Sequence, residues 1–179
     1  MRYVAATVLA LAIVGTPVAA AEPDPSRLAL RQADVPSGFR VDARHTGIRT
    51  NSSQIGQYPQ ARDLFARSGR TTGYEIQFDK GDLMIGARVD VFRTKTGARI
   101  FFDWYVSEVR KAGVKGLVRT RVRIGAGGWL YQSPHTAVFA LVLWRHDRVS
   151  SGVVATGLSS QRAVALARLQ QRRIAAGLR

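Results

Sequence analysis

The stretch TAVFALVLWRHDRVSSGVVAT, residues 136–156, decides the fold class. Two runs rich in Val, Leu, Phe and Thr flank a turn at His146-Asp147, which is the pattern of a β-hairpin. Immediately downstream, Ser159 or Ser160 can cap a helix that runs to Ala176. Ala163, Leu166, Ala167, Gln170 and Ile174 fall near one face of it, and Gly177 is its stop. Strands feeding a helix with one face to bury give an α+β domain.

Upstream the pattern repeats. In Val118–Ile124, alternation sets Val118, Thr120, Val122 and Ile124 on one face and Arg119, Arg121 and Arg123 on the other. Gly125-Ala126-Gly127-Gly128 breaks this strand, and Trp129-Leu130-Tyr131 resumes an extended segment. Before it, Thr94 or Thr96 caps a helix carrying Ala98, Phe101, Phe102, Tyr105, Val109 and Ala112 at helical spacing, ending at Gly113. That aromatic stripe reads as core. Gly73–Phe78 and Leu83–Phe92 form a hairpin across Asp79-Lys80-Gly81-Asp82. Pro59 to Gly69 is a short helix, with Ala61, Leu64 and Phe65 as its stripe. Arg40 to Gln57 is the least structured part, and Ser26 caps a short helix through Gln32 ahead of a turn over Asp34–Phe39. The expected architecture is a mainly antiparallel sheet with the two long helices packed on one face.

The chain has 179 residues, 46% of them hydrophobic and 22% charged, with no Cys. Such a composition is globular. Without Cys there is no disulfide scaffold, thiol nucleophile, thiolate metal site or lipidated N-terminal Cys. Arg2, the apolar run Tyr3–Val14, then Gly15, Pro17 and Val18-Ala19-Ala20-Ala21 read as a secretory signal with cleavage after Ala21. The competing reading is an uncleaved anchor, but a spanning helix takes about 20 apolar residues and this run breaks early. Residues 1–21 are thus a signal peptide, 22–25 a Pro-rich linker, and 26–179 one α+β domain that is secreted or held in the periplasm or cell envelope.

Charge departs furthest from the average. The formal net charge is +15, and 23 of the 27 basic residues are Arg. Residues 22–108 hold 13 Lys+Arg against 11 Asp+Glu, whereas residues 109–179 hold 13 against the single Asp147. An excess confined to one half attracts anionic polymers or surfaces. Successive side chains on one strand face stand about 7 Å apart, so Arg119, Arg121 and Arg123 can meet successive anionic groups of a polymer, with bidentate guanidinium contacts. Trp129 can add stacking, and Arg168 and Arg172, four apart on the last helix, can support them where helix and strand lie together. The bland alternative is a charged edge strand that resists self-pairing.

Catalytic signatures are absent from the sequence: no HExxH, Gly-x-Ser-x-Gly or Walker loop. His45, His135 and His146 lack zinc-ligand spacing. Gly125–Gly128 leads into Trp129 and Leu130, a strand rather than a helix N-terminus, so it reads as a bend before a phosphate loop. No cofactor, metal or catalytic residue is expected.

Leu28-x-Leu30, Ala33-Asp34-Val35-Pro36-Ser37-Gly38-Phe39, Gly73-Tyr74-Glu75, Val91-Phe92, Gly97-Ala98 and Phe101-Phe102, with the closing hairpin and helix, resemble small exported proteins of actinobacteria and other GC-rich bacteria. Some of these resemble extracytoplasmic lipoproteins with a fold like the PsbP subunit of the oxygen-evolving complex. The chain departs from them in having no lipobox Cys. The resemblance implies an antiparallel sheet with helices alongside, and an extracytoplasmic location; it carries over no catalytic residue.

The expected function is a non-enzymatic exported domain that contacts an anionic envelope polymer or membrane surface through its basic C-terminal half; nucleic acid is not an expected physiological partner. Two alternatives stand beside it. One is a small-molecule binding or hydrolytic domain with its site between sheet and helices near Trp104, Tyr105 and Trp144; the other is a structural partner of a membrane complex or sensor.

Overall fold

The structure is a computed structural model, and it describes residues 22–113, 116–133 and 139–179. The expected signal segment, His135 and the first residues of the decisive hairpin lie outside the described residues.

Eight strands form one antiparallel sheet: β1 (Arg40–Val41), β2 (Gly47–Arg49), β3 (Arg70–Lys80), β4 (Leu83–Phe92), β5 (Val118–Val122), β6 (Gly128–Ser133), β7 (Phe139–His146) and β8 (Val149–Thr156). Their order is β1-β3-β4-β8-β7-β6-β5, with β2 also on β3. The helices are α1 (Pro25–Leu28), α2 (Asn51–Gln57), α3 (Arg62–Ser68), α4 (Lys95–Lys111) and α5 (Ser160–Gly177). After the β3–β4 hairpin, α4 carries the chain to the far edge at β5. A meander then returns through β6 and β7 to set β8 against β4, in register from Met84↔Thr156 to Val91↔Val149.

The α+β class holds, but the two long helices lie on opposite faces of the sheet rather than together on one. Ala140, Val142 and Trp144 of β7 join the cluster under α5, with Ala163, Leu166, Ala167 and Ile174. Leu143 packs instead with Phe102 of α4 and Tyr131 of β6, with Leu141, Tyr105 and Val106 alongside. The cause is in the sequence. Phe139–Trp144 is an unbroken apolar run, the mark of a strand buried on both faces, and such a strand needs a cover on each side.

Both long helices start at an expected cap, and α5 buries the expected face; α4 buries Ala98, Phe101 and Phe102, half-buries Tyr105 and Val109, and ends at Lys111, leaving Ala112 of the expected stripe exposed. Thr94 Oγ1 accepts from the Gly97 amide and Ser159 Oγ from the Arg162 amide, and the buried positions of α5 are Ala163, Leu166, Ala167, Gln170 and Ile174. Gln170 is fully buried and satisfied: Oε1 accepts from the Leu30 amide, and Nε2 donates to Ser151 Oγ and the Arg88 carbonyl. Gly97 lets α4 meet α3, because a Cβ there would overlap the Ser68 carbonyl oxygen.

Three local expectations change. Asp24, not Ser26, caps α1, which ends at Leu28. The closing hairpin turns at Asp147-Arg148, with Asp147 at φ 49° and its carboxylate 2.8 Å from Lys95 Nζ. Residues 40–57, read as irregular, contain β1, β2 and α2. Their polarity is deceptive: Thr50 caps α2, and Asn51 and Gln54 are consumed in hydrogen bonds to Arg70 and Arg88.

Candidate functional site

β5 is the last strand of the sheet, paired on one side only with β6, and Arg119 and Arg121 stand opposite Tyr131 and Trp129. Their guanidinium carbons lie over the Trp129 ring at 4.2 and 5.4 Å from its centre. Trp129 thus holds two cations side by side by cation–π attraction, which aligns positive charge along the edge. Val118 and Thr120 on the opposite face are exposed, so only Val122 and Ile124 reach the α5 cluster. Arg123 follows the strand end, exposed, at the bend Gly125–Gly127 that turns β5 back as a hairpin into β6.

Between this edge and the end of α4 lies a hollow of about 320 Å³, lined by Val109, Arg110, Gly113, Leu117, Arg119 and Tyr131. The Tyr131 side chain is buried, and its hydroxyl proton has no acceptor among the described residues. Burial raises its pKa, opposed first by a hydrogen bond from Arg119 and then by the charges of Arg119 and Arg110. Among the described residues Arg110, Arg119, Arg121 and Arg123 form no ion pair. Arg168 and Arg172 are exposed on α5, across the sheet from Arg119 and Arg121, so the structure does not bring helix and strand arginines together.

The second feature escaped the sequence reading. On the α4 face, Asp90 of β4 is buried between two guanidiniums. Arg70 Nε donates to Oδ1 at 2.7 Å, Arg88 Nε to Oδ2 at 2.8 Å and Arg88 Nη2 to Oδ1 at 3.1 Å. Arg70 is held further by Asn51 Oδ1 at 2.6 Å and the Arg49 carbonyl, and it lies 5.0 Å over the Phe65 ring. Arg88 Nη2 also donates to Gln54 Oε1 at 2.9 Å. Burial alone would raise the Asp90 carboxyl, but the charges of Arg88 and Arg70 outweigh it and hold the group below the usual carboxylate range. Burial works against the Arg88 charge too, and Asp90 more than restores it.

Arg88 borders a cleft of about 290 Å³ between α4, α2 and α3, walled by Phe65, Tyr58, Trp104 and Tyr105. Trp104 and Tyr105 stack with planes 17° apart. Burial raises the Tyr105 pKa, opposed by Arg88. Trp144, expected beside Trp104 and Tyr105, is on the other face with its Nε1 donating to Gln171 Oε1 at 2.8 Å, because its strand position is one out of phase with Leu143. A signal for this site was present in β4: Arg88 and Asp90 alternate with Ala87, Val89 and Val91, which puts two opposite charges on one face of an otherwise apolar strand.

His45 pairs with Asp42 at an exposed turn, and no group of His, Asp and Glu among the described residues could hold a metal ion. No described helix is long and apolar enough to cross a membrane.

No family model matches the chain, and no curated protein matches it. Among solved structures it is similar to the crystal structure of the extracellular domain of PknH from Mycobacterium tuberculosis, with a TM-score of 0.54 and 14% identity over 87% of this chain and 98% of that one. At that identity the likeness is one of fold.

Proposed function

We propose that this chain is an exported, non-enzymatic binding domain whose β5 edge takes an anionic envelope polymer or membrane surface. The observation that carries the reading is the buried Tyr131 hydroxyl, whose proton has no acceptor among the described residues, in a hollow shared with Arg110 and Arg119, neither of which has a carboxylate partner among those residues. An anionic oxygen there would accept from the hydroxyl and from guanidinium N–H groups, offsetting the cost of the orphan donor. Arg121 extends the positive line along the strand, two residues from Arg119 and so at the spacing of groups on an extended polymer, and Arg123 adds an exposed cation just past the strand end. Export is supported by the leader-like first 21 residues and by the similarity of fold to an extracellular domain. The likeness to PsbP-like lipoproteins rests on the short sequence motifs alone.

The test is binding of residues 22–179 to polyphosphate and to anionic vesicles across a salt series. Log affinity falls linearly with log salt, and Arg119→Ala/Arg121→Ala/Arg123→Ala lowers the slope by about two to three. An unchanged slope refutes the proposal. Tyr131→Phe, which removes only the hydroxyl, weakens binding several-fold if the hollow receives the anion.

A further inference from the structure

We infer that the cleft beneath α4 is a second, separate binding site, for a small organic monocarboxylate with a flat apolar body. The inference goes beyond the β5 reading and uses none of its residues.

Charge fixes the ligand's sign and valence. The network at the cleft base contains three guanidiniums, Arg49, Arg70 and Arg88, against two carboxylates, Glu75 and Asp90, with Arg49 Nε 2.9 Å from Glu75. One positive charge is left over. Arg70 is closed off, its side chain fully buried and its donors committed to Asp90, Asn51 and the Arg49 carbonyl. Arg88 retains 24% of its side-chain surface, lines the cleft, and makes no hydrogen bond through Nη1 among the described residues. The uncompensated charge therefore meets the cavity at Arg88. Glu108 at the rim is neutralised by Lys111 at 2.8 Å, so it does not cancel that charge. A phosphate dianion or polymer would bring more negative charge than a single guanidinium with part of its donors spent can answer; one carboxylate matches it.

Shape fixes the body. A cleft of about 290 Å³ sits at the small end of ligand sites, and its walls are the rings of Phe65, Tyr58, Trp104 and Tyr105. The stacked Trp104–Tyr105 pair offers a planar surface, and Gln54 Oε1, already accepting from Arg88, keeps the guanidinium turned in its present plane. Arg88 is also fixed from behind, because its own carbonyl accepts from Gln170 Nε2 and Ser151 Oγ on the α5 face. The site is thus preorganised on a central strand rather than on a loop.

The experiment is calorimetric titration of residues 22–179 with 2-naphthoate and its neutral isostere 2-naphthamide, with two-dimensional NMR of the tryptophan indole N–H groups. The expected result is saturable 2-naphthoate binding in the micromolar to millimolar range, at least tenfold weaker binding of the amide, and a shift of the Trp104 signal while that of Trp144, on the other face, stays still. Trp104→Ala, at the half-exposed wall, weakens naphthoate at least tenfold without touching the buried ion network; Arg88→Lys, if it folds, removes the preference for acid over amide. The β5 triple alanine variant binds naphthoate as the parent does, which separates this site from the polyanion edge. Absence of naphthoate binding, equal affinity for acid and amide, or loss of binding in the β5 variant each overturns the inference.

Discussion

Asp90→Asn is the sharpest probe of how this sheet is held. Asp90 is 2% exposed, accepts three hydrogen bonds from two guanidiniums, and is the only carboxylate that Arg70 contacts among the described residues. The amide keeps the shape and part of the hydrogen bonding but none of the charge, leaving Arg70 buried without a counter-ion. Removing one partner of a buried pair costs about 3–5 kcal/mol, which at a urea m-value of about 2 kcal/mol/M lowers the unfolding midpoint by about 1.5–2.5 M. The assay is urea unfolding followed by circular dichroism. A loss below about 1 kcal/mol would show that water reaches the pair and refute the reasoning. A second arm replaces the whole network: Arg70→Met/Asp90→Leu/Arg88→Met leaves no unpaired charge and recovers most of the loss. The pH dependence follows from the same carboxyl. Its folded pKa is depressed, so its stabilisation is full above the unfolded value near 4 and is lost as pH falls through the lower folded value. The gap between parent and Asp90→Asn should therefore be widest at neutral pH and close on acidification below about pH 4.

Other outcomes follow from single contacts. Gly97→Ala forces α4 off α3 by overlap with the Ser68 carbonyl and costs about 1–3 kcal/mol or more, read as a lowered melting temperature despite the better helix propensity of Ala. Gln170→Leu strands the Leu30 amide, a buried donor, and costs about 1–3 kcal/mol, with faster hydrogen exchange at Leu30. Replacing Arg119, Arg121 and Arg123 by Glu keeps the β5 edge charged, so the protein stays monodisperse in sedimentation while polyphosphate binding disappears; retained binding would mean the anion docks elsewhere.

The likeness to the mycobacterial extracellular domain concerns topology, with 14% identity. A fold of this kind positions sites without dictating them. Here the sheet gives two separate addresses, an arginine-lined edge at β5 and an aromatic cleft against β4, about which the shared architecture says nothing.

Residue order alone determined what depends on near neighbours. The period of α5 named its five buried positions, the pairs Thr94/Thr96 and Ser159/Ser160 bracketed the helix starts, Gly69 at φ 60° ended α3, and alternation set Arg119 and Arg121 on one face of β5. Net charge and its confinement to the C-terminal half are likewise sums over the sequence. Tertiary structure decided whatever depends on residues far apart. Arg70, Asp90, Asn51 and Gln54 come from three separate elements, and each looks like an ordinary surface residue until β3–β4 pairing and the docking of α2 close a shell around Asp90. The helix faces were decided the same way, since a strand such as Phe139–Trp144, apolar on both sides, requires two covers but does not say which helix supplies which. Burial of charge and choice of face are properties of the closed sheet, because both are set by which distant segments exclude water together.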